Sequence, residues 1–444
     1  MKLSFFAKDD FARQPVPLSE RRSWIPLTLV WFALGTDIIA ALIGASLATG
    51  QTVANAMIVV SVSSLILGLL GGLGSYVGST TGLSTGLISQ FAFGNIGGRI
   101  VTTFIAIVFF ISFGVYVGAF GESFQHLLQS VFGINLSVSW AAVIGGAMMT
   151  ITATIGYKAI ERLSAISFPL MLFLLSGLAG TIIGTEAKGE WFFVEPAGGT
   201  TMTILAGISF ILAGWAPIVV ISPDIARWAK SPRDAFLSGF LGFLLGNFFM
   251  ISLTVMMVRI TGIENVIQIM LSLNWGILAI TILVLAQWTT NDNLLYSSGL
   301  ALSSLIRNTP KYILTLITGV VGAILAYFQL HNHLLTVFSI TGVLIAPVAS
   351  IYMVEFFLLN RHRFMFTFIQ NKKIPSIYWT AIVSWIIAST VGLMTIPAAD
   401  YGLELFELTG ASSLDTFLVA GLVHFLLGKL AIRNESQEKG VTNA

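Results

Sequence analysis

Between two apolar runs, Trp275–Leu285 and Leu294–Leu305, the chain inserts Ala286–Gln287–Trp288–Thr289–Thr290–Asn291–Asp292–Asn293. The whole stretch otherwise reads as one membrane-spanning helix. An Asp at mid-bilayer costs about 2.5–3.5 kcal/mol on insertion scales. Such groups face a bundle interior or a water-filled cavity and mark a pathway. At 100° per residue, Ala286, Thr289, Thr290 and Asn293 share one helical face, with Gln287 and Asn291 stacked beside it. Hydroxyl and carbonyl oxygens suit a small hard cation. Side-chain amides suit a flat polar solute that both donates and accepts hydrogen bonds. Interhelical packing explains one such residue well, but not six polar residues among the seven from Gln287 to Asn293. Asp292 points away from the Thr289–Thr290 face, where packing and function are equally open.

A second polar group lies in the first apolar run, at Ala33–Leu34–Gly35–Thr36–Asp37. Unwound backbone at Gly35 and Thr36 would free carbonyls for a cation and amides for a solute. The Asp37 carboxylate could pair with a solute donor, help to hold a cation, or carry a proton. The sixth apolar run reads Gly214–Trp215–Ala216–Pro217. Gly and Pro weaken helix interiors, so breaks are expected at corresponding places five helices apart. Trp215 could stack on an aromatic solute, with Gly214 allowing close backbone approach. Phe110 and Phe113 of the third run could supply the opposing face. Glu122 and Glu355 lie near helix ends, within reach of water. No two of the five histidines have metal-ligand spacing on one helix face, and His331 and His333 read as solvated loop residues.

These groups need a scaffold, and composition supplies it. The 444 residues are 56% hydrophobic and only 9% charged, which describes a polytopic membrane protein rather than a soluble domain. At about 20 residues per span, twelve helices are expected, near 24–49, 55–78, 99–127, 136–156, 164–184, 201–223, 234–260, 275–305, 312–330, 333–359, 377–396 and 411–431. With the N-terminus inside, every Lys and Arg except Lys188 and Arg259 falls on the cytoplasmic side. Both termini are then cytoplasmic in a multi-pass plasma membrane protein. The outer loops carry Glu186, Glu190, Glu195, Asp400, Glu404 and Glu407, read as solvated charges. Met1–Ser23 has no apolar core or cleavage site and reads as a cytoplasmic segment, not a signal peptide.

Paired breaks in the first and sixth helices point to an inverted-repeat transporter. The layout is a first five-helix repeat over 24–184 and a second over 201–359. Accessory helices follow at 377–431, then a cytoplasmic tail at 432–444. The absence of cysteine excludes disulfides and thiol chemistry. No nucleophile–base pair, metal cluster or phosphate loop suggests an enzyme or a cofactor. The net charge of +2 suggests no nucleic-acid partner, and nothing suggests an obligate protein partner. The expected partners are the lipid bilayer and a small solute. A channel would need continuous pore polarity, and a receptor would need an output domain.

The segment Trp288–Thr289–Thr290–Asn291–Asp292–Asn293, continuing to Leu295–Tyr296–Ser297–Ser298–Gly299–Leu300, closely resembles the eighth helix of bacterial cytosine permeases of the nucleobase:cation symporter-1 family. Gly214–Trp215 running into Pro223–Asp224 and Arg227, Pro15–Val16–Pro17, and Thr80–Thr81–Gly82–Leu83–Ser84 resemble the family too. The resemblance implies an all-α, five-plus-five inverted-repeat fold of the leucine-transporter type. It implies import of a cytosine- or purine-like heterocycle by sodium symport, the sodium held at Ala33, Thr36, Ala286, Thr289 and Thr290. It puts the base on Trp215 beside Gly214, with the third-helix position near Phe110 to Gly114. The family's cytosine permeases carry Phe where this chain has Asp37 and Trp215, and Asn at Ala286. A hydantoin-transporting member carries an amide at the first. The ion site then looks retained and the solute pocket altered. Proton coupling through Asp37, or a hydantoin or hydroxymethylpyrimidine-type solute, remains an alternative.

Overall fold

The computed structural model describes residues 10–185, 192, 195–196, 199–397 and 402–441, the side chains of 185, 335 and 434–441 excepted. Lys2, Lys8, Glu186, Lys188, Glu190 and Asp400 therefore lie outside the described residues. All regular structure among the described residues is helical. The first expected span is two helices, α1 (Trp24–Gly35) and α2 (Ile38–Gly50), meeting at a 50° bend. Then come α3 (Val53–Thr81), α4 (Thr85–Phe93), α5 (Asn95–Phe132), α6 (Val138–Ile155) and α7 (Tyr157–Thr185). The second half has α8 (Ile204–Val220), α9 (Ser222–Ala226), α10 (Pro232–Thr261), α11 (Val266–Ser272), α12 (Gly276–Leu305), α13 (Lys311–Tyr327) and α14 (Leu334–Val354). The chain ends with α15 (Phe366–Gln370), α16 (Trp379–Thr395) and α17 (Ser412–Val441), the last running well into the expected tail.

By length and hydropathy, seven described helices are able to cross a membrane, or eight with α1–α2 taken as one bent span. The apolar helices α8, α13 and α16 are shorter, and α12 is long but interrupted by its polar block.

The sixth span departs from expectation. Helix α8 runs unbroken through Gly214, Trp215 and Pro217, and the break comes at Ile221. One proline removes one backbone donor, and a membrane helix tolerates that when neighbours compensate. The break forms where Pro223 removes the next donor and side chains take the freed carbonyls. The Ser222 hydroxyl donates to Val219 O at 2.7 Å. Those of Thr85 and Tyr352 donate to Val220 O at 3.4 and 3.3 Å. The first break is held differently. At Gly35 an added Cβ would lie 2.7 Å from Asn247 N, and at Gly246 one would lie 2.6 Å from Phe32 O. Glycine on both sides lets α10 lie directly against the end of α1.

The segment before α1 is tied across the basic end of the bundle. Asp10 pairs with Lys311 at 3.2 Å, both nearly buried. The buried Arg227 guanidinium donates to Asp10 O at 2.6 Å, Phe11 O at 3.0 Å and the Tyr296 hydroxyl at 2.7 Å. Trp228 stacks on Tyr157 at 4.6 Å between ring centroids. Arg22 N–H donates to Trp228 O and Lys230 N–H to Arg22 O, at 2.6 and 2.8 Å.

Candidate functional site

Every residue from Thr289 to Ser298 of α12 is buried, as are Ala286 and Gln287. The polar block sits inside the bundle because α1, α5, α6, α7 and α13 surround it with apolar side chains. The expected ion-site residues converge. Helix α1 ends at Gly35, Thr36 and Asp37 leave the helical conformation, and the last α1 carbonyls lose their helical partners. The Thr36 hydroxyl turns back to Phe32 O and Ala33 O, at 3.1 and 3.2 Å. Across the gap, the Thr289 hydroxyl reaches Ala33 O at 3.4 Å and Ala286 O at 3.1 Å. The Thr290 hydroxyl lies 3.4 Å from Ala286 O. Carbonyls of Ala33 and Ala286 and hydroxyls of Thr36, Thr289 and Thr290 thus share one small volume, a hard-oxygen donor set. Among the described residues no group of three His, Asp or Glu could hold a metal.

Asp37 is wholly buried. It caps α2, one carboxylate oxygen accepting the Ala40 N–H at 2.8 Å. Its other oxygen has no partner. The Thr290 side chain approaches this carboxylate, and Tyr116 of α5 lies within its electrostatic reach. Tyr116 packs on Phe338 of α14 at 5.7 Å between centroids. Gly214 faces the same region, its added Cβ falling 3.2 Å from Ile43 and 3.9 Å from Phe338. Asn291 Nδ2 donates to Gln287 O and Oε1, at 3.0 and 3.4 Å. Gln287 Nε2 and Asn291 Oδ1 are left buried without partners.

The expected third-helix residues lie against α13. Phe113 and Gly114 pack on α13, where an added Cβ at Gly322 would strike the Phe113 ring and one at Gly114 would lie 2.9 Å from Leu325. Phe110 is partly exposed, with its carbonyl beside Gly322. On the same helix, Tyr116 packs on Phe338 within electrostatic reach of Asp37, and the sequence did not single it out. A mid-span Tyr, an aromatic with a polar end, was the available signal. The Trp215 ring meets Phe243 edge-on at 5.3 Å and its indole N–H has no partner. Asp292 indeed turns away, accepting from the Thr152 hydroxyl at 2.6 Å. Two peripheral groups differ from expectation. His331 is buried against Gly118, 3.6 Å from Glu122, rather than solvated. Glu355 is buried against His424 at 3.0 Å, because α17 covers the end of α14.

Residues 15–420 match a family profile described as permease for cytosine/purines, uracil, thiamine, allantoin. The chain belongs to this family. It is 26% identical over 385 residues to the cytosine permease of Escherichia coli K12, covering 85% of this chain and 87% of that one. It is 22% identical over 411 residues to the allantoin permease of Bacillus subtilis 168, covering 82% of each. Among solved structures it resembles Mhp1, a nucleobase-cation-symport-1 family transporter, in a closed conformation with bromovinylhydantoin bound. That match has a TM-score of 0.77, 17% identity and 95% of each chain covered. The inward-facing conformation of Mhp1 matches with a TM-score of 0.73 and 18% identity, covering 95% of this chain and 93% of that one. This permease is thus an all-α polytopic membrane protein of leucine-transporter-like fold. It is a secondary transporter of heterocycles and not an enzyme.

Proposed function

We propose that this permease imports a nucleobase-like heterocycle by sodium symport, through twelve membrane-crossing segments with both termini cytoplasmic. Helices α16 and α17 are accessory to two five-helix repeats. The observation that carries the reading is the Thr289 hydroxyl, within hydrogen-bonding distance of Ala33 O on the broken first span and Ala286 O on its own helix. An ion held by Ala33, Thr36, Ala286, Thr289 and Thr290 would pin the two spans together. Opening toward either side that separates α1 from α12 then requires the ion to leave, which is a physical basis for coupling. The solute would lie beside the ion, among Asp37, Tyr116, Gly214, Trp215, Gln287 and Asn291. Unpartnered polar atoms at Asp37, Trp215, Gln287 and Asn291 support that placement, since buried polar groups normally find partners.

Converting Thr289 and Thr290 together to Ala should abolish sodium-dependent uptake while the protein stays folded in the membrane. Wild-type sodium dependence in the double variant would move the ion elsewhere. A second reading, proton coupling, is favoured by the buried Asp37 carboxylate. Uptake driven by a pH gradient in sodium-free vesicles would select it.

A further inference from the structure

Between α14 and α16 the chain carries Arg361, Arg363, Lys372 and Lys373, with no acidic residue from Phe356 to Ala399. The apolar span that contains α14 ends at Leu359, so the first of these cations stands at the membrane edge. The loop is pinned there. Pro375 O accepts the Asn95 N–H at 2.9 Å and Ser376 O the Ile96 N–H at 2.7 Å. These are donors that the start of α5 leaves free. Phe93 O accepts the Tyr378 N–H at 3.0 Å. Gly94, with φ of +89°, makes room for this approach, since an added Cβ would lie 2.7 Å from Ser376 O. Phe364 packs against Phe91 and Phe356, each ring 5.1 Å away.

Other cations of the basic face are engaged inside the protein: Arg22 with Glu161, Lys158 with Glu20 and Lys311 with Asp10. Those of the loop rest on ring faces. The Arg361 guanidinium lies over Tyr76 and Phe356, at 5.7 and 5.1 Å, and the Lys373 ammonium over Phe368 at 5.9 Å. Arg361 gives one N–H to the Tyr76 hydroxyl at 3.3 Å. A ring face steadies a cation without neutralising its charge. The nearest acid in sequence, Glu355, is turned into the bundle, bonded to His424 at 3.0 Å and Asn360 at 2.8 Å. Arg363 lies 3.8 Å from it. Arg361, Lys372 and Lys373 are exposed and, among the described residues, pair with no carboxylate. Leu358, Met365 and Trp379, beside them, are each more than half exposed.

We propose that residues 361–373 form a docking surface for anionic lipid headgroups, with Arg361, Lys372 and Lys373 as the charges that select them. Unpaired cations beside exposed apolar side chains suit the boundary between headgroups and acyl chains. Long basic side chains keep their stems in the apolar layer and their charge at the phosphates. A guanidinium matches phosphate geometry, and an ammonium meets it as a point charge. A zwitterionic headgroup brings its own cation and gains little here; an anionic one brings a net charge that this loop lacks. A soluble acidic partner would leave Leu358, Met365 and Trp379 in water. The backbone bonds to α5 hold the loop at one depth, so the charges need no ordering when a headgroup arrives. The inference needs only that the loop lies at a membrane surface, and so stands apart from the transport reading.

The test is native mass spectrometry of the purified full chain with equal phosphatidylglycerol and phosphatidylcholine, joined to melting curves in nanodiscs of either lipid. The loop variant is Arg361→Gln with Lys372→Gln and Lys373→Gln. The control, Lys230→Gln with Arg233→Gln and Arg307→Gln, removes three exposed cations elsewhere on the same face. Wild type should retain phosphatidylglycerol over phosphatidylcholine by on the order of 10- to 100-fold, at about fivefold per surface cation. It should also melt higher in the anionic nanodisc. The loop variant should lose most of both effects and the control little. Equal melting of wild type and loop variant in phosphatidylcholine shows that the fold is kept. Lys372→Gln with Lys373→Gln alone, which leaves Arg361 on Tyr76, should lose an intermediate share. No lipid preference in wild type, or an equal loss in the control, would overturn the proposal. So would inorganic phosphate raising the melting temperature in phosphatidylcholine nanodiscs as far as phosphatidylglycerol does.

Discussion

Three aromatic residues compete for the solute wall, and their surroundings separate them. Phe113 sits against Gly322 of α13, where its ring takes the space of a side chain. Phe113→Ala should lower the melting temperature and leave solute affinity unchanged, because only packing is lost. Tyr116 packs on Phe338, within electrostatic reach of Asp37. Tyr116→Ala should cost about 1–3 kcal/mol of solute binding, the scale of base–aromatic stacking. Trp215 is anchored on Phe243 yet keeps a free indole N–H. Trp215→Ala should lose a similar amount in a titration and Trp215→Phe less. A lower melting temperature with unaltered affinity in Trp215→Ala would assign it to the core and leave Tyr116 as the platform.

Elements show why some features could be read from the sequence and others could not. Helices were legible because lipid demands long apolar runs with satisfied backbones. The polar face of α12 was legible because one helix period puts Ala286, Thr289 and Thr290 together. The break in the sixth span was misplaced because Gly214 and Pro217 are local signals. The real break depends on Thr85 and Tyr352, more than a hundred residues away in either direction. Tyr116 was missed for a similar reason: the packing of α13 and α14 sets which side of α5 turns toward Phe338. His331 shows the same dependence, buried by the accident of glycine at position 118. Burial pushes its imidazole below the ordinary 6.5, and Glu122 opposes this only in part. The folded state therefore favours the neutral ring. Its contribution to stability is complete above the ordinary value and is lost as pH falls through the lowered one. Melting temperature should drop on acidification below about pH 6.5, and His331→Gln should remove that part of the drop. An identical acid profile in the variant would place the sensitivity elsewhere.

At the scale of the molecule, the segment before α1 joins parts that must separate if the basic face is to open. It contacts α7 through Arg22 and Glu161 at 2.9 Å. It contacts α12 through Arg13, which donates to Ser303 O at 3.0 Å, and α13 through Asp10 and Lys311. It also leads directly into α1, whose end carries the Ala33 carbonyl of the proposed ion site. A transporter of this fold admits its solute from one side at a time, so the ties read as a closure of this face. The strongest tie is the buried Asp10–Lys311 pair, braced by Tyr157 N–H donating to Asp10 at 3.1 Å. Removing one partner of a buried ion pair leaves an uncompensated charge and typically costs about 3–5 kcal/mol. That cost falls only on the closed arrangement, because opening would return both groups to water. Asp10→Asn should therefore raise the population open at the basic face. The chain has no cysteine, so a single Ser303→Cys gives a clean reporter under Arg13. A membrane-impermeant thiol reagent applied to the basic face should label it faster in Asp10→Asn than with Asp10 intact, and sodium with solute should slow both. Equal rates with and without Asp10 would mean that this segment packs against the bundle without controlling access to it.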